Sequence, residues 1–374
     1  MTTTFARTDR RVVAQWWWTV DRWSIAAIMA LIGFGSLLIM SASPAVALRI
    51  GADSLFFVRR YFAVLPAAVI LMFIVSLLNP RQVRHLAMLG LVISLVLLAY
   101  TLIGGVEIKG ARRWIDLPGL SIQPSEFVKP CFAVVAAWLF TQSKLRPDFP
   151  GQWIAIGLYV AIVTLLIRQP DLGQTAVVSM VWFIQFFLAG LSLIWVVVLL
   201  LGGVAGLAGA YILLPHVTSR IDRFINPASG DNYQVDRSLD AFMNGGWWGR
   251  GPGEGTVKLT LPDAHADFVF SVAGEELGVI VCLIIIALFA FVVLRGFSRL
   301  LQEGNPFVVL AGTGLLVQFG LQAIINMASA LHIMPTKGMT LPFISYGGSA
   351  MLSMGIGMGM VLALTRRRFG DGDT

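Results

Sequence analysis

Ten apolar stretches follow one another between residues 24 and 364, most of them parted by a few polar residues. A helix needs about 20 mostly apolar residues to cross a bilayer. The composition agrees: of 374 residues, 57% are hydrophobic and 13% charged, about half the charged share of roughly 25% in an ordinary soluble domain. Mean hydropathy is +0.80. A soluble globular enzyme, a disordered chain and a disulfide scaffold are excluded. The pattern predicts an all-α polytopic membrane protein of about ten transmembrane helices, at 24–43, 60–78, 84–104, 126–141, 152–168, 173–190, 192–214, 267–295, 306–330 and 341–364. One large extracytoplasmic loop, 215–266, separates the seventh helix from the eighth.

An even number of spans puts both termini on one side. Arg7, Arg10, Arg11 and Arg22 at one end and Arg366, Arg367 and Arg368 at the other place them in the cytoplasm. Residues 1–23 are then a cytoplasmic segment, 24–366 the membrane domain and 367–374 a cytoplasmic tail. Lys and Arg divide evenly between the predicted sides, so the ends and short cytoplasmic segments set the orientation, not the total. The first span is expected to act as its own insertion signal, because Met1 to Gln15 is polar and basic. Trp16, Trp17, Trp18 and Trp23 read as an interfacial belt. A net charge of +7 does not indicate nucleic acid here, since no basic run alternates with solvent-facing aromatics. Cys131 and Cys282 lie in apolar runs and read as small hydrophobes.

The long loop carries Gly249, Gly251, Gly253 and Gly255 in alternation. It is not a phosphate-binding loop, because no Gly-Lys-Ser/Thr follows. Two readings stay open: a turn-rich connector, or backbone that closely approaches a ligand. Asp263 and Asp267 then flank His265 where the chain re-enters the membrane. A carboxylate there is costly unless it faces protein or a water-filled cavity, and partial desolvation suits it to general-base work. An interfacial or helix-capping carboxylate is the bland alternative, favoured for Asp263 and left open for Asp267. Glu126 and Lys129 are i,i+3 neighbours that can pair on one helical face. Arg168 to Gln174, Glu275, Glu276, Arg112, Arg113 and Trp114 add polar groups at similar predicted depth. So many point to a shared polar cavity open to the outer face. The four histidines have no zinc-like spacing, and no Gly-x-Ser-x-Gly elbow appears. Gly355, Gly357 and Gly359 either let the last span pack closely or reflect the composition of membrane helices.

Seven motifs in order carry a family resemblance: Gly110-Ala-Arg-Arg-Trp-Ile115, Gln123-Pro-Ser-Glu-Phe-Val-Lys129, Gln169-Pro-Asp-Leu-Gly-Gln174, the glycine run 245–255, Leu261 to Phe270, Gly274-Glu-Glu-Leu-Gly278, and Leu341-Pro-Phe-Ile-Ser-Tyr-Gly-Gly-Ser349. Over about 24–368 the chain resembles the SEDS family (shape, elongation, division and sporulation) of peptidoglycan glycosyltransferases. Tyr233 to Arg237 and Leu261 to His265 resemble its FtsW branch more than RodA. One departure is Ala266, where the family usually has Thr.

The resemblance implies polymerisation of lipid II, a disaccharide-pentapeptide on undecaprenyl diphosphate, by an inverting displacement at the division septum of the bacterial inner membrane. Asp267 matches the family's essential aspartate and becomes the candidate base. Arg113 and Lys129 become candidates for the diphosphate or for holding the carboxylate, with Glu126 positioning Lys129. Gln174, His265 and Ser345 lie in the same motifs and become candidate substrate-binding residues. No metal ligand is assigned, although a divalent cation, magnesium or manganese, can assist a diphosphate. The implied partners are a class B penicillin-binding protein and other division proteins. Two competing readings are a lipid II flippase, which needs a charged path to the cytoplasmic side, and a non-enzymatic division scaffold.

Overall fold

The computed structural model describes residues 12–108, 110–117, 120–190, 193–213, 215–226, 233–335 and 338–367. Arg7, Arg10, Arg11 and Arg368, used above to orient the chain, lie outside the described residues. A short helix α1 (Val12–Thr19) leads into α2 (Arg22–Arg49), α3 (Phe56–Ser76) and α4 (Pro80–Gly104). Strands β1 (Val106–Ile108), β2 (Ala111–Leu117) and β3 (Leu120–Ile122) follow, then α5 (Pro124–Leu145), α6 (Gly151–Arg168), α7 (Leu172–Leu188) and α8 (Leu193–Leu213). The long loop contains α9 (Pro215–Ile225), α10 (Tyr233–Gly245) and a 3-10 turn at Val257–Leu259. The chain closes with α11 (Val269–Leu300), α12 (Pro306–Ala330) and α13 (Gly348–Leu364).

Helices α2 to α8 and α11 to α13 occupy the ten predicted stretches, and the protein is a multi-pass membrane protein. Among the described residues six of them, α2, α3, α4, α6, α11 and α12, are long and apolar enough to cross a membrane on those grounds alone. Their ends are set by local chemistry. Asn79 and Gln82 form a reciprocal capping box before Pro80. Asp171 caps α7, and Asn305 precedes Pro306 and caps α12. The glycines of α13 do admit close packing. A Cβ at Gly355 would lie 2.6 Å from the Ala68 carbonyl oxygen of α3, and one at Gly359 2.7 Å from that of Met72. Gly357 meets only Pro130 at an ordinary 3.5 Å. Helix α8 stands apart, with Ile194, Val197, Leu201 and Val204 exposed.

The connection after α4 forms an antiparallel sheet of order β1-β2-β3, with Glu107 opposite Arg112 and Asp116 opposite Ser121. Two expectations need correction. The tryptophans are not one belt. Trp16 is buried, sits edge-on to Phe73 at 4.9 Å and donates to Ser76 Oγ at 2.9 Å, whereas Trp17 and Trp23 are exposed. The alternating glycines form neither a loose connector nor a ligand cradle. They are grafted onto α11, which is broken at Gly278 (φ 79°, ψ 173°).

At that break the backbone groups that lose helical partners find them in the loop. The N–H groups of Arg250 and Gly251 donate to the carbonyls of Glu275 and Glu276 at 3.0 and 2.9 Å. Those of Val279 and Ile280 donate to the carbonyls of Gly246 and Trp247 at 2.9 and 3.4 Å. The approach leaves no room for side chains: a Cβ at Gly249 would lie 2.3 Å from the Glu276 carbonyl oxygen. Gly246 also has positive φ, +57°, but nothing lies within 4 Å of a Cβ there. Gly246→Ala should therefore cost about 1 kcal/mol of backbone strain, and Gly249→Ala several times more. Thermal unfolding of the two variants in detergent checks this ordering, and equal losses would contradict the graft.

Candidate active site

Three clusters of polar side chains meet at the end of the bundle where the sheet and the long loop lie. The first is buried beneath the sheet. Lys129 Nζ donates to Glu126 Oε2 at 2.9 Å and to Gln322 Oε1 of α12 at 3.2 Å. Gln174 Nε2 donates to Glu126 Oε1, and Ser353 Oγ of α13 to the Glu126 carbonyl at 2.7 Å. Glu126 and Lys129 are only 4% and 3% exposed, so solvent does not reach the pair. Around it, Arg113 of β2 donates to the carbonyls of Gln169 and Pro170 at 2.9 and 2.6 Å and lies 3.8 Å from Asp171. Gln123 Nε2 donates to Asp171 Oδ2 at 3.4 Å. Thus Glu126, Lys129, Gln174 and Arg113 form one connected network.

The second cluster anchors the glycine loop. Glu275 is fully buried and accepts from the N–H groups of Thr256 and Val257 at 2.9 and 3.0 Å. Glu276 accepts from Lys258 Nζ and Ser41 Oγ, each at 2.5 Å, and from Gly253 N at 3.0 Å. Arg49 reaches from α2 to the Leu259 carbonyl at 2.6 Å. These ionisable groups hold the loop in place.

The third cluster surrounds Asp267, half-buried just before α11. Its N–H, with those of Ala266 and Phe268, donates to the carbonyl of Asp263, whose φ is +51°. A short polar side chain tolerates that left-handed conformation, which gives Asp263 a structural reason for its identity. Asn326 Nδ2 of α12 donates to the Asp267 carbonyl at 3.0 Å and to that of Met339 at 2.6 Å. Ser345 Oγ donates to the Ala266 carbonyl at 2.6 Å and accepts from Leu341 N at 2.8 Å. A Cβ at Gly338 would come within 3.0 Å of Asp267 Oδ2, so a glycine leaves this carboxylate its space. His265 lies between Phe57 and Tyr346, with ring centroids at 4.3 and 5.2 Å. Burial pushes its imidazole down to about 4, against a smaller opposing effect of Asp263. Arg60 of α3, exposed, stacks on Phe56 at 4.4 Å and lies close enough to Tyr346 for its charge to act on the phenol.

Helix α12 joins the first and third clusters. Gln322 and Asn326 are i,i+4 and face the same way, one holding Lys129 and the other the Asp267 backbone. Among the described residues no group of three or more His, Cys, Asp or Glu gathers as a metal-ligand set. Sequence reasoning missed Gln322, Asn326, Ser353 and Arg60. Gln322 and Asn326 stood in the sequence, with Gln318, as polar amide positions in a mostly apolar span, a signal that intramembrane polarity carries.

Comparison with known proteins decides the family. The model of the FtsW, RodA and SpoVE cell cycle proteins matches residues 22–369. The chain belongs to this family. A Caulobacter vibrioides relative named "Probable peptidoglycan glycosyltransferase FtsW" is 45% identical over 98% of this chain and 94% of its own. An Escherichia coli relative of the same name is 34% identical, over 92% and 85%. Among solved structures, the Thermus thermophilus rod shape determining protein RodA is 27% identical with a TM-score of 0.68, covering 95% of this chain and 99% of its own. A chain reported under "Structural coordination of polymerization and crosslinking by a peptidoglycan synthase complex" is 27% identical with a TM-score of 0.75, covering 92% and 97%. The two-cluster geometry around α12 is therefore built on the FtsW/RodA/SpoVE fold.

Two measurements test the energetics. Removing one member of a buried ion pair leaves an uncompensated charge and costs about 3–5 kcal/mol, whereas removing both is far milder. Glu126→Gln and Lys129→Met should each lower the melting temperature, and the double variant should recover most of the loss. A double variant as unstable as the sum of the singles would show that the pair is not the unit. For His265, the unfolded ring takes a proton below about 6.5 and the folded one only near 4. Stability is thus lost as pH falls from about 6.5 to 4, by roughly 3 kcal/mol. Melting curves across that range should show the slope, and His265→Phe should flatten it.

Proposed function

We propose that this chain is a septal peptidoglycan glycosyltransferase that polymerises lipid II, with Asp267 as its general base. The observation that carries the reading is the half-buried Asp267 carboxylate, set at the end of the bundle by backbone clamps from Asn326 and Ser345. The acceptor sugar hydroxyl loses its proton to Asp267 as its oxygen attacks the donor's anomeric carbon. The bond from that carbon to undecaprenyl diphosphate breaks, and an α linkage becomes β-1,4. One base is enough, because diphosphate leaves without protonation. Cationic help for the developing negative charge is the second requirement.

The cations of the first cluster are engaged within the protein. Lys129 serves Glu126 and Gln322, and Arg113 serves the 169–171 turn. Their part in this reading is to position the ends of α5 and α7. Arg60, exposed beside Tyr346 and His265, is the candidate for the departing diphosphate. The Thr hydroxyl replaced by Ala266 is compensated by the Ser345 bond to the Ala266 carbonyl. No step is assigned to magnesium or manganese. The names of the relatives favour a glycosyltransferase over a flippase or a scaffold. The neighbouring synthase complex, which couples polymerisation to crosslinking, supports a class B penicillin-binding protein as partner at the septum. Both termini are then cytoplasmic.

The test is lipid II polymerisation by the purified protein with that partner. Asp267→Asn should lose roughly 10²-fold or more in rate, the scale of general-base catalysis, at unchanged protein level and partner binding. Glycan chains of wild-type length from this variant would reject Asp267 as the base.

A further inference from the structure

At the opposite end of the bundle, a cavity of about 470 Å³ lies between the start of α2 and the last turns of α11. Four guanidinium side chains line it, those of Arg22, Arg295, Arg299 and Arg367. Among the described residues Asp21 is the one carboxylate lining it, and it is already saturated. It accepts from Arg295 Nε at 2.6 and 2.9 Å, from Ser24 Oγ at 3.0 Å and from Trp23 N at 3.2 Å, with Arg299 Nη2 at 3.5 Å. Arg299 Nη1 is buried without a hydrogen-bond partner. Arg22 stacks over Trp17 and Trp18 at 5.2 and 4.9 Å. The Arg367 backbone N–H donates to the Thr19 carbonyl at 3.1 Å, which fixes Arg367 at the cavity. Neither Arg22 nor Arg367 has an ion pair with a carboxylate among the described residues. Like charges held this close repel, and an uncompensated buried donor is costly. The cavity is therefore built for an anion.

The surface below the cavity identifies the kind of anion. Trp23, Ala26 and Met29 form one exposed face of α2, and Phe291 and Leu294 are exposed on α11. The charged site thus opens onto lipid-facing apolar surface at the end of two spans, the level at which tryptophan and arginine meet headgroups. A soluble phosphate would use only the arginines. A phospholipid would use both surfaces.

We infer that this cavity binds the phosphodiester headgroup of an anionic membrane phospholipid through Arg22, Arg299 and Arg367, with an acyl chain along the exposed faces of α2 and α11. The site is separate from the Asp267 end and does not rest on the proposed activity.

The test uses the full-length protein purified in detergent and titrated with phosphatidylglycerol, phosphatidylcholine or inorganic phosphate. Bound lipid is read by native mass spectrometry and thermal stabilisation. Phosphatidylglycerol should bind and stabilise in preference to phosphatidylcholine, and phosphate alone should do neither. The double variant Arg22→Gln, Arg367→Gln spares the Asp21 ion pairs and should weaken phosphatidylglycerol binding about tenfold or more. A control at the same end, Lys144→Gln with Arg146→Gln, should change it by less than about twofold, because a diffuse surface attraction would respond equally to both. Equal binding of the two lipids, equal weakening in the two double variants, or stabilisation by phosphate alone would each overturn the proposal.

Discussion

The end of the bundle that carries the sheet and the long loop depends on the interruption of α11 at Gly278. A break in a membrane helix frees N–H and C=O groups that lipid cannot satisfy, at several kcal/mol each. Here the freed groups of Glu275, Glu276, Val279 and Ile280 are paired with residues 246–251. That pairing demands backbone contact, which is why glycines alternate: at 249 a Cβ would overlap Glu276, and at 245 it would lie 1.9 Å from the Gly274 carbonyl oxygen. The side chains of Glu275 and Glu276 complete the join by taking the N–H groups of Gly253, Thr256 and Val257. The 3-10 turn and the Asp267 segment start from this anchored loop. Helix α10 packs over it through Val235, Ser238, Ala241 and Gly245, one buried stripe at helical spacing.

Two buried ion pairs flank the site, Glu126 with Lys129 and Glu276 with Lys258. Desolvation makes such pairs poor sources of net stability compared with well-packed apolar side chains. Both carboxylates accept at least one further hydrogen bond, from Gln174 in one case and from Ser41 and Gly253 in the other. Their effect is geometric. Through its further hydrogen bonds each pair ties a loop or helix end to an element distant in sequence, and the alternatives would leave a charge buried alone. Conformational choice, more than folding free energy, is what such networks provide.

How much of this was legible in the sequence follows from periodicity. The apolar stretches located all ten long helices, because the length needed to cross a bilayer dominates every other signal. The Glu126–Lys129 pair was legible because i,i+3 spacing fixes it within one helix. The sheet was not, since β1 and β3 are three residues each, too short for alternation to register. The glycine graft was not, because its partners are 25 to 33 residues away along the chain and bind through backbone, which leaves no side-chain pattern. Asn326 and Gln322 were visible as polar residues in a span, but their targets, an Asp267 carbonyl and a lysine on α5, belong to tertiary structure.

Several carboxylates lie at this end, and burial separates their roles. Glu126, Asp171, Glu275 and Glu276 are at most 6% exposed and are engaged by lysine, arginine, amide or backbone donors. A group so enclosed cannot meet a sugar hydroxyl at headgroup level without an opening of the helices around it. Asp267 differs in exposure: it is half-buried, in the turn just before α11. Its backbone is held by α12 and by the 341–345 turn, which fixes where the side chain starts. A general base requires this combination, a fixed origin and an accessible end. Asn326 and Ser345 supply the fixed origin, and in the proposed reading Asp267 supplies the accessible end.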